Sequence, residues 1–219
     1  MNEIRINKYL ALKKISTRRG ADELITAKKV FINGKLALLG SKVEETDKVE
    51  VRGAKVNTYK YFAYNKPVGV ETDSPQKDLF PLGRLDKASH GLLILTNDGR
   101  ITDQLLNPKY YHEKEYIVRT KEKLRSNFKQ KMEAGVNIEG YVTKDCKVKI
   151  LGPNTFKIIL TEGKKHQIRR MCSALFQEVA DLKRERIMNI KLGTLKEGAM
   201  REIKGEELAT FLNQVLHQS

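Results

Sequence analysis

Apolar and polar residues are patterned differently in the first fifty residues and in the rest of the chain. In the front segment, residues 5–12 and 18–27 place apolar side chains at helical spacing, and Ser16 stands where the N-cap of the second helix is expected. Residues 30–34, Val-Phe-Ile-Asn-Gly, read as a strand that enters a tight hairpin turn, and a closing strand follows at 49–51. The front pattern therefore predicts two short helices and a small sheet.

The rest of the chain reads mainly as strands separated by turns. Because the helices do not alternate strictly with the strands, the pattern favours an α+β fold with a mixed, mainly antiparallel sheet and flanking helices over a doubly wound fold. Glycine and small polar residues at 52–58 indicate a linker, which divides the chain into domains at 1–55 and 59–219. The predicted strands are 59–64, 92–95, 115–119, 135–138, 147–151, 155–161 and 187–192, and the predicted helices are 101–106, 121–134, 165–176 and 205–216.

Net charge narrows the choice of partner. The 219 residues include 42 Lys and Arg against 27 Asp and Glu, a net charge of +15, which suits a polyanion. Nucleic acid is favoured over membrane, because no stretch approaches the roughly 20 apolar residues of a bilayer span and no lipidation motif occurs. The N-terminus lacks a signal-peptide pattern, and Cys146 and Cys172 are far apart, so we expect a cytoplasmic protein without a disulfide framework.

Most catalytic motifs are missing from the sequence. We find no paired metal-ligand spacing, no glycine-rich phosphate loop and no nucleophile elbow, and therefore predict neither a metal nor an organic cofactor. The best single candidate is Asp86, in the loop Gly-Arg-Leu-Asp-Lys-Ala-Ser-His-Gly at 83–91, directly before the apolar strand 92–95. Taken alone, an acid two residues after Arg84 is more often a structural ion pair than a nucleophile or base.

Two further stretches could supply partners for that acid. Residues 161–171 form a glycine turn that opens a basic helix, and such a helix start can present N–H groups and cations to phosphate, although a solvated basic face is about as common. Tyr116 lies on a strand, where an aromatic ring is more often part of the core than a platform for a base.

The front segment resembles the S4-type RNA-binding domain. The resemblance rests on Ser-Thr-Arg-Arg-Gly-Ala-Asp-Glu-Leu-Ile at 16–25, on Val30 and on the Asn-Gly pair at 33–34. A basic helix suits A-form RNA, which proteins recognise by backbone and shape more than by sequence. The alternative is a helical adaptor with a solvated charged face. The residues predicted to contact RNA are Arg5, Lys8, Arg18, Arg19, Lys28 and Lys29.

The three stretches of the second domain together resemble the pseudouridine synthases of the RsuA/RluB/RluE/RluF family. The matching motifs are residues 83–99, Lys-Glu-Tyr at 114–116, and the Glu-Gly and His-Gln-Ile-Arg-Arg-Met groups within 162–171. Residues 142–149, 170–172 and 186–189 most resemble RluF-type members, which modify 23S ribosomal RNA. An N-terminal S4 domain is usual in this family, so the resemblance covers nearly the whole chain.

The resemblance implies an enzyme that detaches uracil from its ribose, turns it and rejoins it through carbon five. Asp86 would be the nucleophile or the base, Arg169 would pair with it, and Tyr116 would stack on the flipped uracil. Arg84 would fill the space left by the flipped base, and Leu192 would form the apolar floor of the pocket. Lys66, Lys165, Gln167 and Arg170 complete the predicted substrate contacts. The expected partner is 23S ribosomal RNA or a large-subunit assembly intermediate, with a tRNA anticodon arm as a second possibility, and the expected state is a monomer.

Two other functions are compatible with parts of this pattern. A non-catalytic RNA-binding factor in ribosome assembly could keep the same scaffold, but it would not need Asp86, Tyr116 and Arg169 together. A glycosidase-like hydrolase would need a second carboxylate near Asp86, and the acids nearest in sequence, Asp78 and Asp98, show no pattern that pairs them with it.

Overall fold

A computed structural model describes residues 3–13, 15–44, 46–53 and 59–216. The chain divides into two compact units, one from the residues up to Lys60 together with 97–102, and one from 61–96 and the residues from Asp103 onward. Of the linker predicted at 52–58, residues 54–58 lie outside the described residues.

The first unit contains the predicted helix pair and hairpin. The N-cap of the second helix is Thr17, whose hydroxyl accepts a hydrogen bond of 3.0 Å from the Gly20 amide, so the prediction of Ser16 was wrong by one residue. Ser16 is instead buried. The elements are β1 (Ile4–Arg5), α1 (Ile6–Leu12), α2 (Arg18–Thr26), β2 (Val30–Ile32), β3 (Lys35–Leu36), β4 (Lys42–Val43) and β5 (Val49–Val51).

The core of this unit lies between its helices and its small sheet. Strand β2 pairs with β3 on one side and with β5 on the other, both antiparallel. Asn33 and Gly34 have positive φ angles of 49° and 78°, which is the geometry of the predicted two-residue hairpin turn. Seven fully buried apolar residues fill the core: Ile6, Leu10, Ala21, Ile25, Val30, Ala37 and Val43.

The second unit is built around one large sheet. Its strands are β6 (Tyr61–Lys66), β7 (Phe80–Leu82), β8 (His90–Thr96), β9 (Lys114–Thr120), β10 (Asn137–Ile138), β11 (Tyr141–Val142), β12 (Lys147–Gly152), β13 (Thr155–Leu160), β14 (Val179–Ile187), β15 (Ile190–Lys191) and β16 (Met200–Glu202). Its helices are α3 (Thr102–Leu106), α4 (Phe128–Glu133), α5 (Gln167–Ala174) and α6 (Gly205–Leu216).

The sheet has the strand order β12-β13-β9-β14-β8-β6-β16, with β15 added to β14 and β7 added to β8. Only the β8–β14 pair is parallel within the described residues, and the other pairs are antiparallel. The predicted α+β class with a mixed, mainly antiparallel sheet is confirmed. None of the helices that the structure describes is both long and apolar enough to cross a membrane.

Gly91 allows the parallel pair to form. Its φ is +100°, and a Cβ atom added there would lie 2.4 Å from the Arg184 carbonyl oxygen and 2.8 Å from the Arg184 nitrogen. Both atoms belong to the backbone of β14 and cannot rotate away, so glycine is required where β8 crosses closest to β14. This contact fixes the start of β8, and with it the end of the loop that carries Asp86.

Helices α4 and α5 cover one face of the sheet. Phe128 of α4 meets Phe156 of β13 edge to face, with ring centroids 4.9 Å apart, and such a pair adds about 0.5–1.5 kcal/mol beyond area burial. Ile168 and Met171 of α5 belong to the same buried cluster. The packing holds the start of α5 against the sheet, at the end where the functional side chains gather.

Candidate active site

Asp86 lies in the loop between β7 and β8, beside a cleft of about 780 Å³. The backbone of this loop is held from one side by residues 66–72. The buried Lys66 amine donates hydrogen bonds of 2.8 Å to the carbonyl oxygens of Ser89 and Pro67. The Gly69 amide donates a bond of 2.8 Å to the Lys87 carbonyl. The loop is therefore a fixed platform despite its small residues.

The side chains of Thr72 and Arg169 also fix this loop. The Thr72 hydroxyl accepts a hydrogen bond of 2.9 Å from the Leu85 amide and donates one to the Leu85 carbonyl. Arg169, on α5, donates bonds of 3.0 Å to the Ala88 carbonyl and 3.2 Å to the Ser89 hydroxyl. Asp86 is thus presented by a backbone that is bound immediately before and after it.

The carboxylate of Asp86 is half-buried and meets two side chains of the basic segment, one of which is the charged Arg169. His166 Nε2 lies 3.2 Å from Oδ1, and Arg169 Nε lies 3.9 Å from Oδ2. Arg169 Nε is buried and has no hydrogen-bond partner among the described residues. Arg84 and Lys87, the cationic neighbours in sequence, are exposed, and in the described part of the chain neither forms an ion pair with Asp86. The interpretation of Asp86 as the ion-pair partner of Arg84 is therefore not supported by the geometry.

His166 takes its place through an unusual backbone conformation. It is the N-cap of α5 with φ 53° and ψ 29°, the left-handed region that few non-glycine residues adopt. A conformation of this kind turns the chain sharply before the helix begins. The sequence motif contained His166, but nothing in its spacing indicated that it would make the shorter of the two contacts with Asp86.

The floor of the cleft is formed by the central strands β13, β9 and β14. Tyr116 pairs in register with Arg184 of β14, and Lys114 pairs with Leu160 of β13 and Ile187 of β14. Directly opposed residues of antiparallel strands share one face of a sheet, and all five of these residues line the cleft. The Tyr116 ring is buried, and the Arg184 guanidinium carbon lies 6.0 Å from its centroid. The floor thus combines an aromatic ring, apolar side chains and two cations.

One wall of the cleft is held by the buried carboxylate of Glu162. It accepts hydrogen bonds of 2.7 Å from the Gln167 amide group and 3.0 Å from the Lys144 backbone amide, and a further bond from the Tyr141 hydroxyl. The hydrogen bond from the Tyr141 hydroxyl to Glu162 raises the pKa of Tyr141, and burial raises it further. With its oxygens used in this way, Glu162 holds the wall of the cleft together.

Three of the predicted substrate contacts do not face the cleft. Leu192 is buried away from it, because the segment predicted as one strand turns at Met188 and returns as β15, and Ile187 lines the cleft instead. Lys66 is fully buried beneath the Asp86 loop. Arg170 points away and forms an ion pair of 2.6 Å with Glu139.

The remaining predicted residues divide into two groups. Arg84, Asp86, Tyr116 and Lys165 line the cleft, whereas Gln167 lines it but is engaged in the wall. In the first unit, the six predicted RNA contacts are all exposed: Arg5, Lys8, Arg18, Arg19, Lys28 and Lys29.

Sequence reasoning missed several residues that the structure brings to this site. Lys114 and His166 stood inside the motifs without a role, and Arg184 carried no signal, because its position depends on the pairing of β14 with β8 and β9. Thr72 was also missed, since a loop threonine rarely indicates a residue that fixes another loop.

Among the described residues, no cluster of His, Cys, Asp and Glu could hold a metal ion.

Comparison with known proteins agrees with this site. The family model for RNA pseudouridylate synthases matches residues 60–174, and the S4 domain model matches residues 4–49. The chain therefore belongs to the RNA pseudouridine synthase family and carries an N-terminal S4 domain.

Individual relatives extend the match over the whole chain. The chain is 38% identical over 236 residues to the dual-specificity RNA pseudouridine synthase RluF of Escherichia coli (strain K12), covering 100% of this chain and 81% of that protein. It is 34% identical to the ribosomal large subunit pseudouridine synthase B of Bacillus subtilis (strain 168), covering 93% of each. A crystal structure of a pseudouridylate synthase superposes with a TM-score of 0.71 at 27% identity, covering 97% of this chain and 100% of the other. RNA pseudouridine synthase activity and similarity to the RluF-type enzymes are thereby established, as the sequence predicted.

Proposed function

We propose that this enzyme converts a uridine of 23S ribosomal RNA to pseudouridine and that Asp86 begins the reaction. The observation that carries the proposal is the presentation of a single carboxylate, on a loop bound from both sides, beside a cleft whose floor holds Tyr116. A cleft of about 780 Å³ lies within the usual range for small-molecule sites and accommodates a flipped nucleotide. The large-subunit target is supported by the names of the relatives, and a tRNA uridine is the second candidate. A cytoplasmic location and a monomeric state belong to the same proposal.

The roles proposed for the site residues follow from their positions. Asp86 attacks the ribose or removes a proton from it, while His166 and Arg169 keep the carboxylate oriented. Tyr116 stacks on the flipped uracil. Arg84, exposed at the rim, enters the space that the base leaves and contacts phosphate. In the first unit, the exposed cations of β1, α1, α2 and the turn after α2 bind the RNA backbone.

Site-directed variants test the role of Asp86. Asp86→Asn removes the charged carboxylate with little change of shape, so pseudouridine formation should fall below detection while the dissociation constant for RNA changes less than about threefold. Asp181→Asn is the matched control, because Asp181 also contacts a histidine, His90, at 3.1 Å but does not line the cleft. Normal turnover by Asp86→Asn would refute the assignment.

Chemical mapping of pseudouridine identifies the target. Total RNA from cells with and without the gene is compared position by position, and the proposal expects one or a few uridines of 23S RNA to lose the modification. Addition of the purified protein to RNA from the deletion strain should restore it without releasing free uracil. Release of free uracil would favour hydrolysis, and a loss confined to tRNA would overturn the ribosomal target.

A further inference from the structure

Two cations on the cleft floor have no acidic partner. Arg184 is 2% exposed and donates a hydrogen bond of 2.7 Å to the Leu92 carbonyl and one of 3.4 Å to the Arg84 carbonyl. Its Nη2 atom is buried without a hydrogen-bond partner among the described residues. The Lys114 amine donates a single long bond of 3.4 Å, to the His112 carbonyl. In the described part of the chain, neither side chain forms an ion pair with a carboxylate.

The surroundings of Lys114 disfavour its charge. The ionisable groups that face it are Arg184, on the neighbouring strand β14, and His112, in the turn before β9. Burial and the like charge of Arg184 lower the pKa of Lys114 to about 8. A cation that is shielded from water and repelled by its neighbour destabilises a fold unless an anion joins it. These features indicate that the anion arrives with the substrate.

The shape of the floor indicates which part of the substrate arrives there. Lys114 and Tyr116 are two residues apart on β9 and therefore face the same side of the sheet. Leu160 and Ile187 flank Lys114 in register. A flat base with polar edges fits between an aromatic ring, apolar side chains and cations, whereas a phosphate group would be poorly solvated against these apolar side chains.

We propose that Lys114 and Arg184 bind the carbonyl oxygens of the target uracil and stabilise the negative charge that uracil gains when its glycosidic bond breaks. When the N1–C1′ bond breaks, its electron pair remains on uracil and spreads over N1 and the two carbonyl oxygens. After the ring turns, C5 supplies the pair that forms the new bond to C1′, the C5 proton leaves and N1 gains a proton. Atoms and charge therefore balance without a co-reactant. The proposal rests on Asp86 being the reacting carboxylate, but it holds whether Asp86 acts as nucleophile or as base.

The variant Lys114→Met separates this role from a structural one. It removes the charge but keeps the length of the side chain, so the single-turnover rate on total RNA from a deletion strain should fall about 100-fold at pH 7, the usual effect of losing one such donor. The melting temperature should stay equal or rise, because an unpaired charge leaves the interior. Lys149→Met, on the exposed strand β12, is the control for the loss of one positive charge from the protein.

Lys114→Arg supplies the second measurement and does not depend on Lys114→Met being folded. At RNA concentrations well below saturation, the wild-type rate should decline as pH rises past about 8, where Lys114 loses its proton. Arginine stays charged, so Lys114→Arg should keep its rate to pH 9. Three results would each overturn the inference. The first is a wild-type rate in Lys114→Met, and the second is a dependence of rate on pH in Lys114→Arg that declines like that of the wild type. The third is a parallel loss of stability and RNA affinity in Lys114→Met. Wild-type protein that forms no pseudouridine in ribosomal RNA would instead contradict the proposed target.

Discussion

Substitution of Gly91 by alanine tests whether the approach of β8 to β14 builds the site. The new Cβ would lie 2.4 Å from the Arg184 carbonyl oxygen in a backbone with φ +100°. A side chain in the left-handed region costs about 1–2 kcal/mol, and inserting a carbon into a packed contact costs about 1–3 kcal/mol. Because the contacted atoms are backbone, neither penalty can be relieved by a change of rotamer, and the free energy of unfolding should fall by about 2–5 kcal/mol.

Gly140→Ala is the matched control for this substitution. Gly140 has a similar φ of +86°, but a Cβ added there would meet nothing within 4 Å. In Gly140→Ala the free energy of unfolding should therefore fall only by the cost of the left-handed backbone conformation, about 1–2 kcal/mol. Denaturant unfolding of both variants gives the difference, which measures the clash alone. Equal losses, within about 0.5 kcal/mol, would refute the view that backbone contact with β14 is what requires glycine.

Activity should separate the same two variants. In Gly91→Ala, β8 can only relieve the clash by moving from β14, which disturbs the 2.7 Å bond from Arg184 to the Leu92 carbonyl and the loop that ends at Gly91. At denaturant concentrations below the unfolding midpoint, where both variants are folded, pseudouridine formation should therefore be slower in Gly91→Ala and normal in Gly140→Ala. Full activity of folded Gly91→Ala would show that the strand spacing has no effect on the site.

Three further predictions concern the RNA surface, the cleft wall and Lys114 of the cleft floor. Replacing Arg18 and Arg19 by glutamine should weaken RNA binding and lower the slope of log affinity against log salt by about 1 for each phosphate that the protein no longer neutralises; filter binding at several salt concentrations measures it, and an unchanged slope would contradict the RNA role of α2. Glu162→Gln should reduce the free energy of unfolding by about 1–3 kcal/mol, because an amide N–H₂ group would face hydrogen-bond donors, and denaturant unfolding measures this loss. The same variant should lower the pKa of Tyr141, because it removes the carboxylate acceptor that raises it, and spectroscopic titration measures that pKa. The pKa of Lys114 is lowered from 10.5 to about 8 in the folded state, so between these pH values the unfolded chain binds more protons than the folded one. The free energy of unfolding should therefore rise by about 3 kcal/mol as pH increases from 8 to 10.5. The free energies of unfolding of the wild type and Lys114→Met should converge at high pH, and a difference that does not change with pH would argue against the lowered pKa.

Features that depend on neighbouring residues could be predicted from the sequence, whereas features that depend on strand pairing could not. The turn at 33–34 and the loop that presents Asp86 each have a local signature. The position of Leu192 shows the limit, because a continuous apolar pattern cannot indicate that the chain turns at Met188 and reverses. Lys66 was among the substrate contacts that the resemblance implied, but the structure buries it, and its amine binds the carbonyl groups of Pro67 and Ser89.

The partners of Asp86 illustrate how the geometry of the site serves its chemistry. Arg169 was predicted from the motif, and the structure does bring it beside Asp86, yet its Nη2 atom is used to bind the loop backbone at Ala88 and the Ser89 hydroxyl. Among the described residues, Arg169 contacts the carboxylate through Nε at 3.9 Å, and His166 makes a closer contact, at 3.2 Å. A bidentate guanidinium pair would occupy both carboxylate oxygens with strong, charge-assisted hydrogen bonds. The observed arrangement keeps the positive charge of Arg169 near Asp86 while leaving lone pairs on the carboxylate free of that guanidinium, and the role proposed for Asp86 requires such lone pairs.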